Sequence, residues 1–380
     1  MIKPDDFIHQ AGDHGFDFYC GVPCSFLTPL IDQVIADDET DYIAASSEGE
    51  AVAIASGAWL AGKTPVMMCQ NSGLGNAVNP LTSLNAPFCI PVLLIVTWRG
   101  KPGMTDEPQH QLMGEITPDL LALMKIPCEP FPKDAGQIAG ALFRARDHMD
   151  QTGLPYALIM EKGDVEKGTV SAEDFMSAQT QSGTLHDFTN KDDLPKRRDI
   201  LASLLTVTRK DTAVIATTGK CGRELFTLDD RAGHLYQVGS MGAASAMGLG
   251  VALNVKKPVV VLDGDGAALM KLGNLATIGR YAPVNLLHVL IDNGTYDSTG
   301  GQASVAPYID FPKIADACNY RHIYRTDDVP GFQQAMTDAM NRDGPQLLHI
   351  LIEPGSMKSL GRPTIKPDQV AVRFRKFLMT

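Results

Sequence analysis

The sequence predicts an α/β protein made of two doubly wound parallel-sheet domains. Short apolar runs alternate with helical-period segments at close spacing, and they do so in both halves of the chain. Between Glu161 and about Pro195 the chain becomes polar, rich in Ser, Thr, Gln, Lys and Asp, and reads as a linker wrapping the surface. The expected domains are therefore 1–165 and 196–380, joined by 166–195 with no middle domain, and 380 residues suffice for both. A glycine-rich acidic turn, Asp263-Gly264-Asp265-Gly266, joins a strand to a helix in the second half, as doubly wound sheets require at their strand ends.

The first half opens with a helix over Pro4–His14 and a strand over Asp17–Gly21. The turn Val22–Ser25 leads to an apolar-periodic helix, Phe26–Ile35, and a short strand, Asp41–Ala45. Ser46 and Ser47 can cap the small-residue helix Glu48–Ala61, whose alanines and glycine permit close packing. Strand Pro65–Gln70 enters a polar glycine turn, Asn71–Asn76, then a helix, Ala77–Leu84. The apolar strand Ile90–Thr97 runs into a polar loop that reaches His110. Helices near Asp119–Met124 and Ala135–Asp150 and the strand Tyr156–Met160 end this half. The second half predicts helix Arg198–Thr206, strand Ala213–Ala216, the turn Thr217–Lys220, strand His234–Val238 and a small-residue helix to Leu253. Strand Pro258–Leu262, a helix to about Arg280, and strand Asn285–Ile291 follow. Helices Ile314–Cys318 and Gly331–Asn341 and strand Gln346–Ile352 complete it. The similar element order of the halves is compatible with an old duplication, without a visible sequence repeat.

Composition excludes several classes. Hydrophobic content of 44% and charged content of 20% are those of a globular protein. The longest apolar run, Cys89–Trp98, is too short to span a bilayer, and the N-terminus lacks a signal-peptide pattern. The spacing of Cys20 and Cys24 fits neither a zinc nor a redox pair, so reduced thiols in a cytoplasm are expected. A net charge of −11 argues against nucleic acid or an anionic membrane as partner, and requires a local basic cluster for any anionic substrate.

The chemistry concentrates after Lys257. Asp265 stands at the carboxyl end of one strand, and Asn293 at the end of the next, one crossover later. A carboxylate, an amide and a backbone carbonyl suit a hard cation such as Mg²⁺. Gly264 and Gly266 let the backbone come close, and the helix start at Ala267 offers N–H groups to a phosphate. This spacing resembles the diphosphate–magnesium site of the thiamine diphosphate (ThDP) enzyme superfamily, with Asp292-Asn293 in place of its asparagine pair. The resemblance implies that Asp265, Asn293 and the Thr295 carbonyl hold the metal, and that the halves are pyrimidine-binding (PYR) and diphosphate-binding (PP) domains.

Other segments join that resemblance. Glu48 by itself is an acidic residue favoured in a first helical turn. With Gly49, Ala51, Ala55 and Gly57 it resembles the glutamate of the PYR domain, which protonates the cofactor's pyrimidine. Glu50 reads as structural. Met241 resembles the bulky side chain that enforces the bent cofactor, with the Gly239 carbonyl as acceptor for its amine and Thr218-Gly219 touching the diphosphate. Ser25, Asn71 and His110 occupy turns and loops where related decarboxylases place substrate residues, and His110 is a further catalytic candidate. The strings Gln70–Leu81, Trp98–Gly100, Asp106–His110, Thr217–Lys220 and Asp297–Gln302 are similar to the phosphonopyruvate decarboxylase family, with sulfopyruvate decarboxylase as close relative. The resemblance implies a small anionic 2-keto acid substrate and a homo-oligomer with active sites between subunits. Arg99, Lys101, His110, Lys220 and Arg223 are candidates to hold the substrate's anionic tail. Another anionic 2-keto acid decarboxylase or a carboligase is the alternative. A dinucleotide-binding module is disfavoured because Val78 stands where the third glycine belongs.

Overall fold

A computed structural model describes residues 1–37, 40, 42–168, 181–190 and 193–380. The chain forms two compact units, Met1–Ala178 and Gln179–Thr380. Asp41 of the second expected strand and much of the expected linker lie outside the described residues.

The first unit is a six-stranded parallel sheet: β1 (Phe18–Gly21), β2 (Tyr42–Ala44), β3 (Pro65–Gln70), β4 (Leu93–Thr97), β5 (Cys128–Pro130) and β6 (Tyr156–Met160). Its order is β2-β1-β3-β4-β6-β5, with all five pairings parallel. Strands β3, β4 and β6 are apolar along nearly their whole length, as strands covered on both faces must be. Phe7, Phe16, Tyr19, Leu30, Ile138 and Leu158 are among the side chains that fill one core cluster. The helix Glu48–Leu60 is buried almost all round, which its alanines and glycine allow.

The second unit is a seven-stranded parallel sheet of β7 (Thr184–Phe188), β8 (Ala213–Ala216), β9 (His234–Tyr236), β10 (Val259–Gly264) and β11 (Leu286–Asp292), closed by two later strands. After β11 come a two-residue hairpin, β12 (Thr295–Tyr296) with β13 (Gln302–Ala303), then β14 (His322–Thr326) and β15 (Gln346–Leu351). The order is β7-β14-β15-β11-β10-β8-β9. Read from the β9 edge, the first six strands follow the same winding as the first unit, and β7 is the extra one.

The structure departs from expectation in several places. The 166–195 segment contains β7, which pairs with β14 from Thr184 to Phe188, so it is not wholly a surface wrap. Its alternation of exposed and half-buried residues gave no apolar run to read. The Asn71–Asn76 turn is helical: a 3₁₀ turn over Asn71–Gly73 continues into the helix Leu74–Pro80. The helix after Asp265 breaks at Lys271 into Asp265–Met270 and Gly273–Tyr281. Strands β5 and β14 and the helices Lys220–Leu228 and Pro367–Met379 were not anticipated. The Asp119–Met124 helix begins earlier, at Gln111, and carries Pro118 inside it; the Gly114 carbonyl that Pro118 cannot bond accepts the Trp98 indole N–H at 2.8 Å instead. Among the described residues, no helix is long and apolar enough to cross a membrane.

Candidate active site

In the second sheet the chain leaves β8 toward one edge, to β9, and leaves β10 toward the other, to β11. Adjacent strands departing in opposite directions open a crevice at their carboxyl ends, where ligands of such sheets bind. The structure has a pocket of about 200 Å³ there. It is lined by Thr218, Gly219, Met241, Gly264, Asp265, Gly266, Ala267, Asn293 and Thr295, residues predicted from sequence and drawn from four strand ends.

Local chemistry shapes each wall. Gly219 has φ +97°, a conformation L side chains avoid, and turns the chain into the helix Lys220–Leu228. No side chain caps that helix, so its first N–H groups are left for another acceptor. A Cβ on Gly266 would lie 2.4 Å from the Tyr296 ring, while one on Gly264 would meet nothing within 4 Å. Lys220 lines the pocket and has no ion-pair partner among the described residues. Arg197, the other cation there, is bound at 2.6 Å to Asp297 and at 3.4 Å to Glu224.

Asp265 is 3% exposed. Burial pushes its carboxyl above the ordinary range, the Ser304 hydroxyl bonded to it pulls the other way, and the Asp292 charge adds to the rise. The Asn293 amide nitrogen donates to Asp297 at 2.7 Å, and its oxygen accepts the Thr295 N–H at 3.1 Å. Among the described residues no three His, Cys, Asp or Glu side chains gather as a metal site. The donor set is instead carboxylate, amide and carbonyl, and a hard cation beside Asp265 would offset the cost of its buried charge. The residues present fit a diphosphate held by a divalent cation.

Gly239 sits beside this pocket rather than in its wall, with its carbonyl accepting from the Gln237 amide at 3.1 Å. Arg223 does not line this pocket, and two of its nitrogens donate to the main-chain carbonyls of Leu360 and Gly361.

The first unit carries the other candidates. Glu48 opens its helix behind the Ser47 N-cap and is 9% exposed. Asn76 donates to its carboxylate at 2.8 Å. A Cβ on Gly73 would lie 2.2 Å from the same carboxylate, so the glycine makes room for it. Glu50 closes the cap from the other side, accepting the Ser46 N–H at 2.6 Å, which is the structural role expected of it. His110 is buried with Nδ1 unpaired. Ser25 is exposed.

Asn71 is tied into the fold. It is fully buried, donating to the Arg99 carbonyl at 2.8 Å and to Thr117 at 3.0 Å, and accepting the Arg99 N–H at 3.3 Å. Both of its N–H donors are spent on tying the end of β3 to the loop after β4 and to Thr117, and its oxygen accepts one further bond. Arg99 makes a forked pair with Asp106 at 2.7 and 2.5 Å, and Lys101 pairs with Glu161 at 2.8 Å. Sequence reasoning missed Asn76 and Asp297 as partners of the site, although both lie in strings it singled out. Arg197 had no signal, because its partner Asp297 is a hundred residues away.

Two family models match the chain: the thiamine pyrophosphate enzyme N-terminal TPP binding domain over residues 5–123, and the corresponding C-terminal TPP binding domain over 228–350. The phosphonopyruvate decarboxylase of Streptomyces viridochromogenes is 45% identical over 380 residues, covering 100% of this chain and 96% of that one. The sulfopyruvate decarboxylase of Methanosarcina acetivorans is 29% identical, covering 100% and 98%. Among solved structures, the thiamine diphosphate-dependent 4-hydroxybenzoylformate decarboxylase of Rhodococcus jostii RHA1 shares the fold, with TM-score 0.73, 12% identity, and 94% and 100% coverage. Fold, pocket and matched domains define a thiamine diphosphate-dependent enzyme. Within that class, the chain belongs to the phosphonopyruvate decarboxylase family.

Proposed function

We propose that this protein decarboxylates 3-phosphonopyruvate to phosphonoacetaldehyde and CO₂ without oxidation, using ThDP and Mg²⁺. The observation that carries the reading is the pocket at the β8/β10 crevice, which gathers the expected cofactor residues at one place. Held by these residues, ThDP would supply a nucleophilic carbon and an electron sink for loss of CO₂ from a 2-keto acid.

The chain's own residues supply the rest. Asp265, Asn293 and the Thr295 carbonyl hold the cation. The uncapped helix start at Lys220, with Thr218 and Gly219, receives the diphosphate, and Lys220 adds an unpaired positive charge. Met241 supports the ring system from one wall. Glu48, buried and held by Asn76, gives and takes a proton at the pyrimidine nitrogen. His110 and Ser25 serve the substrate. Of the candidates for the anionic tail, Arg99 and Lys101 are already paired with Asp106 and Glu161, while His110, Lys220 and Arg223 have no carboxylate partner among the described residues. The protein works as a homo-oligomer whose active sites draw on more than one subunit, and its seven free thiols fit a reducing cytoplasm.

The test is CO₂ release from phosphonopyruvate with and without added ThDP and Mg²⁺, run beside sulfopyruvate at equal concentration. Turnover of phosphonopyruvate that requires both additions and exceeds that of sulfopyruvate supports the reading. Preference for sulfopyruvate moves the chain to the chemistry of its 29% identical relative. No turnover of either refutes it.

A further inference from the structure

Asn293 can serve a cation only through its oxygen, yet the two ends of an amide have nearly the same shape. What decides which end faces the pocket is the group behind it. Here that group is Asp297, whose ionised carboxylate accepts and cannot donate. It takes the Asn293 NH₂ at 2.7 Å and the Thr295 hydroxyl at 3.1 Å. The amide oxygen is thereby left on the other side, where one lone pair accepts the Thr295 N–H.

Asp297 is itself held. The Gly355 N–H reaches both of its oxygens at 3.2 Å. Arg197, 8% exposed at its side chain, bonds it at 2.6 Å and also donates to the Gly355 carbonyl at 3.1 Å. Glu224, 1% exposed, balances the second arm of the guanidinium and accepts the Met357 N–H. Two helices, Arg197–Val207 and Lys220–Leu228, thus anchor a buried carboxylate–guanidinium–carboxylate chain that ends on the Asn293–Thr295 loop. A neutral amide at 297 would offer an NH₂ as well as an oxygen, and the preference for one orientation of Asn293 would be lost.

We propose that Asp297, braced by Arg197, is the positioning residue that turns the Asn293 amide oxygen and the Thr295 backbone toward the cofactor's cation. The inference rests on the Mg²⁺–ThDP reading above. Loss of such a supporting partner costs about 10- to 100-fold in metal affinity. The experiment is calorimetric titration of Mg²⁺ into apo protein with ThDP present, with a melting curve of each apo variant. Asp297→Asn weakens Mg²⁺ by about 10- to 100-fold in protein that still folds, with a lowered apo melting temperature because Arg197 loses its nearer counter-charge. Arg197→Lys keeps the charge but not the fork, and weakens Mg²⁺ in the same direction by about 3- to 10-fold. It answers the question if Asp297→Asn does not fold. Folded Asp297→Asn, or failing that folded Arg197→Lys, binding Mg²⁺ within about 2-fold of wild type overturns the proposal. Asp265→Ala separates the two claims. If wild type binds Mg²⁺ and Asp265→Ala does not, the cofactor reading stands whatever Asp297 does. If wild type shows no ThDP-linked Mg²⁺ binding, both fall.

Discussion

Glu48 and Gly73 are one constraint seen from two sides. A carboxylate buried at a helix start needs space and a donor, and here Gly73 gives the space and Asn76 the donor. Glu48→Gln keeps the size and the hydrogen-bonding capacity but cannot pass a proton. Turnover falls by about 10²- to 10⁴-fold while ThDP binding and the melting temperature hold, as parallel rate and calorimetric measurements would show. Near-wild-type turnover in that variant would refute the proton relay. Gly73→Ala puts a methyl group where the Glu48 carboxylate lies, so either the helix Leu74–Pro80 or the carboxylate must move. The expected cost is about 1–3 kcal/mol in a denaturant melt, joined by a loss of turnover with substrate affinity little changed. A variant that melts lower but turns over normally would show that the glycine serves packing alone.

At the scale of elements, the loop after β4 is set by charge. Asp106 accepts two bonds from Arg99 and the Gly100 N–H at 2.9 Å, and Arg99 lies over the Phe26 ring at 4.8 Å. The hydrogen bond from the Arg99 guanidinium holds the Asp106 carboxyl well below the usual carboxylate range. A folded-state value below the unfolded one means that this stabilisation is present above the ordinary carboxylate range and is lost as pH falls through the depressed value. Asp106→Asn should therefore cost about 1–3 kcal/mol near neutral pH, with the gap to wild type narrowing as both are melted at increasingly acid pH. A gap independent of pH would show that the charge contributes nothing. This loop also shows what sequence could and could not deliver. Strands β3, β4, β10 and β11 and the turns at their ends were legible, because apolar runs and glycine turns are local signals. β14, with His322, Arg325 and Thr326, was not, because its partners and not its own pattern make it a strand. Asn71 was legible as a turn residue, but its ties to Arg99 and Thr117 were not, since a turn asparagine and a buried tie look alike until those partners are seen beside it. The Arg197–Asp297 pair had no local signal at all.

At the scale of the whole molecule, the two sheets share one winding of six strands. Their functional groups cluster at matching places, Glu48 after β2 with Gly73 and Asn76 after β3, and Met241 after β9 with Asp265 after β10. On the proposed roles, one winding used twice places the proton relay of Glu48 in one unit and the diphosphate and cation residues in the other. The proposed homo-oligomer joins complementary units from different subunits, and that arrangement has a genetic signature. Glu48→Gln spoils only the relay, and Asp265→Ala only the cation site. Each variant alone should be inactive. When the two are co-expressed, half of the randomly formed dimers pair one with the other. In such a dimer one site receives both damaged units and the other receives both intact ones, so activity returns to roughly a quarter of wild type. If each site instead drew both units from a single subunit, every site in the mixture would keep one lesion, and no activity would return. Recovery measured against co-expressed single variants therefore decides between the two arrangements without any knowledge of oligomer size.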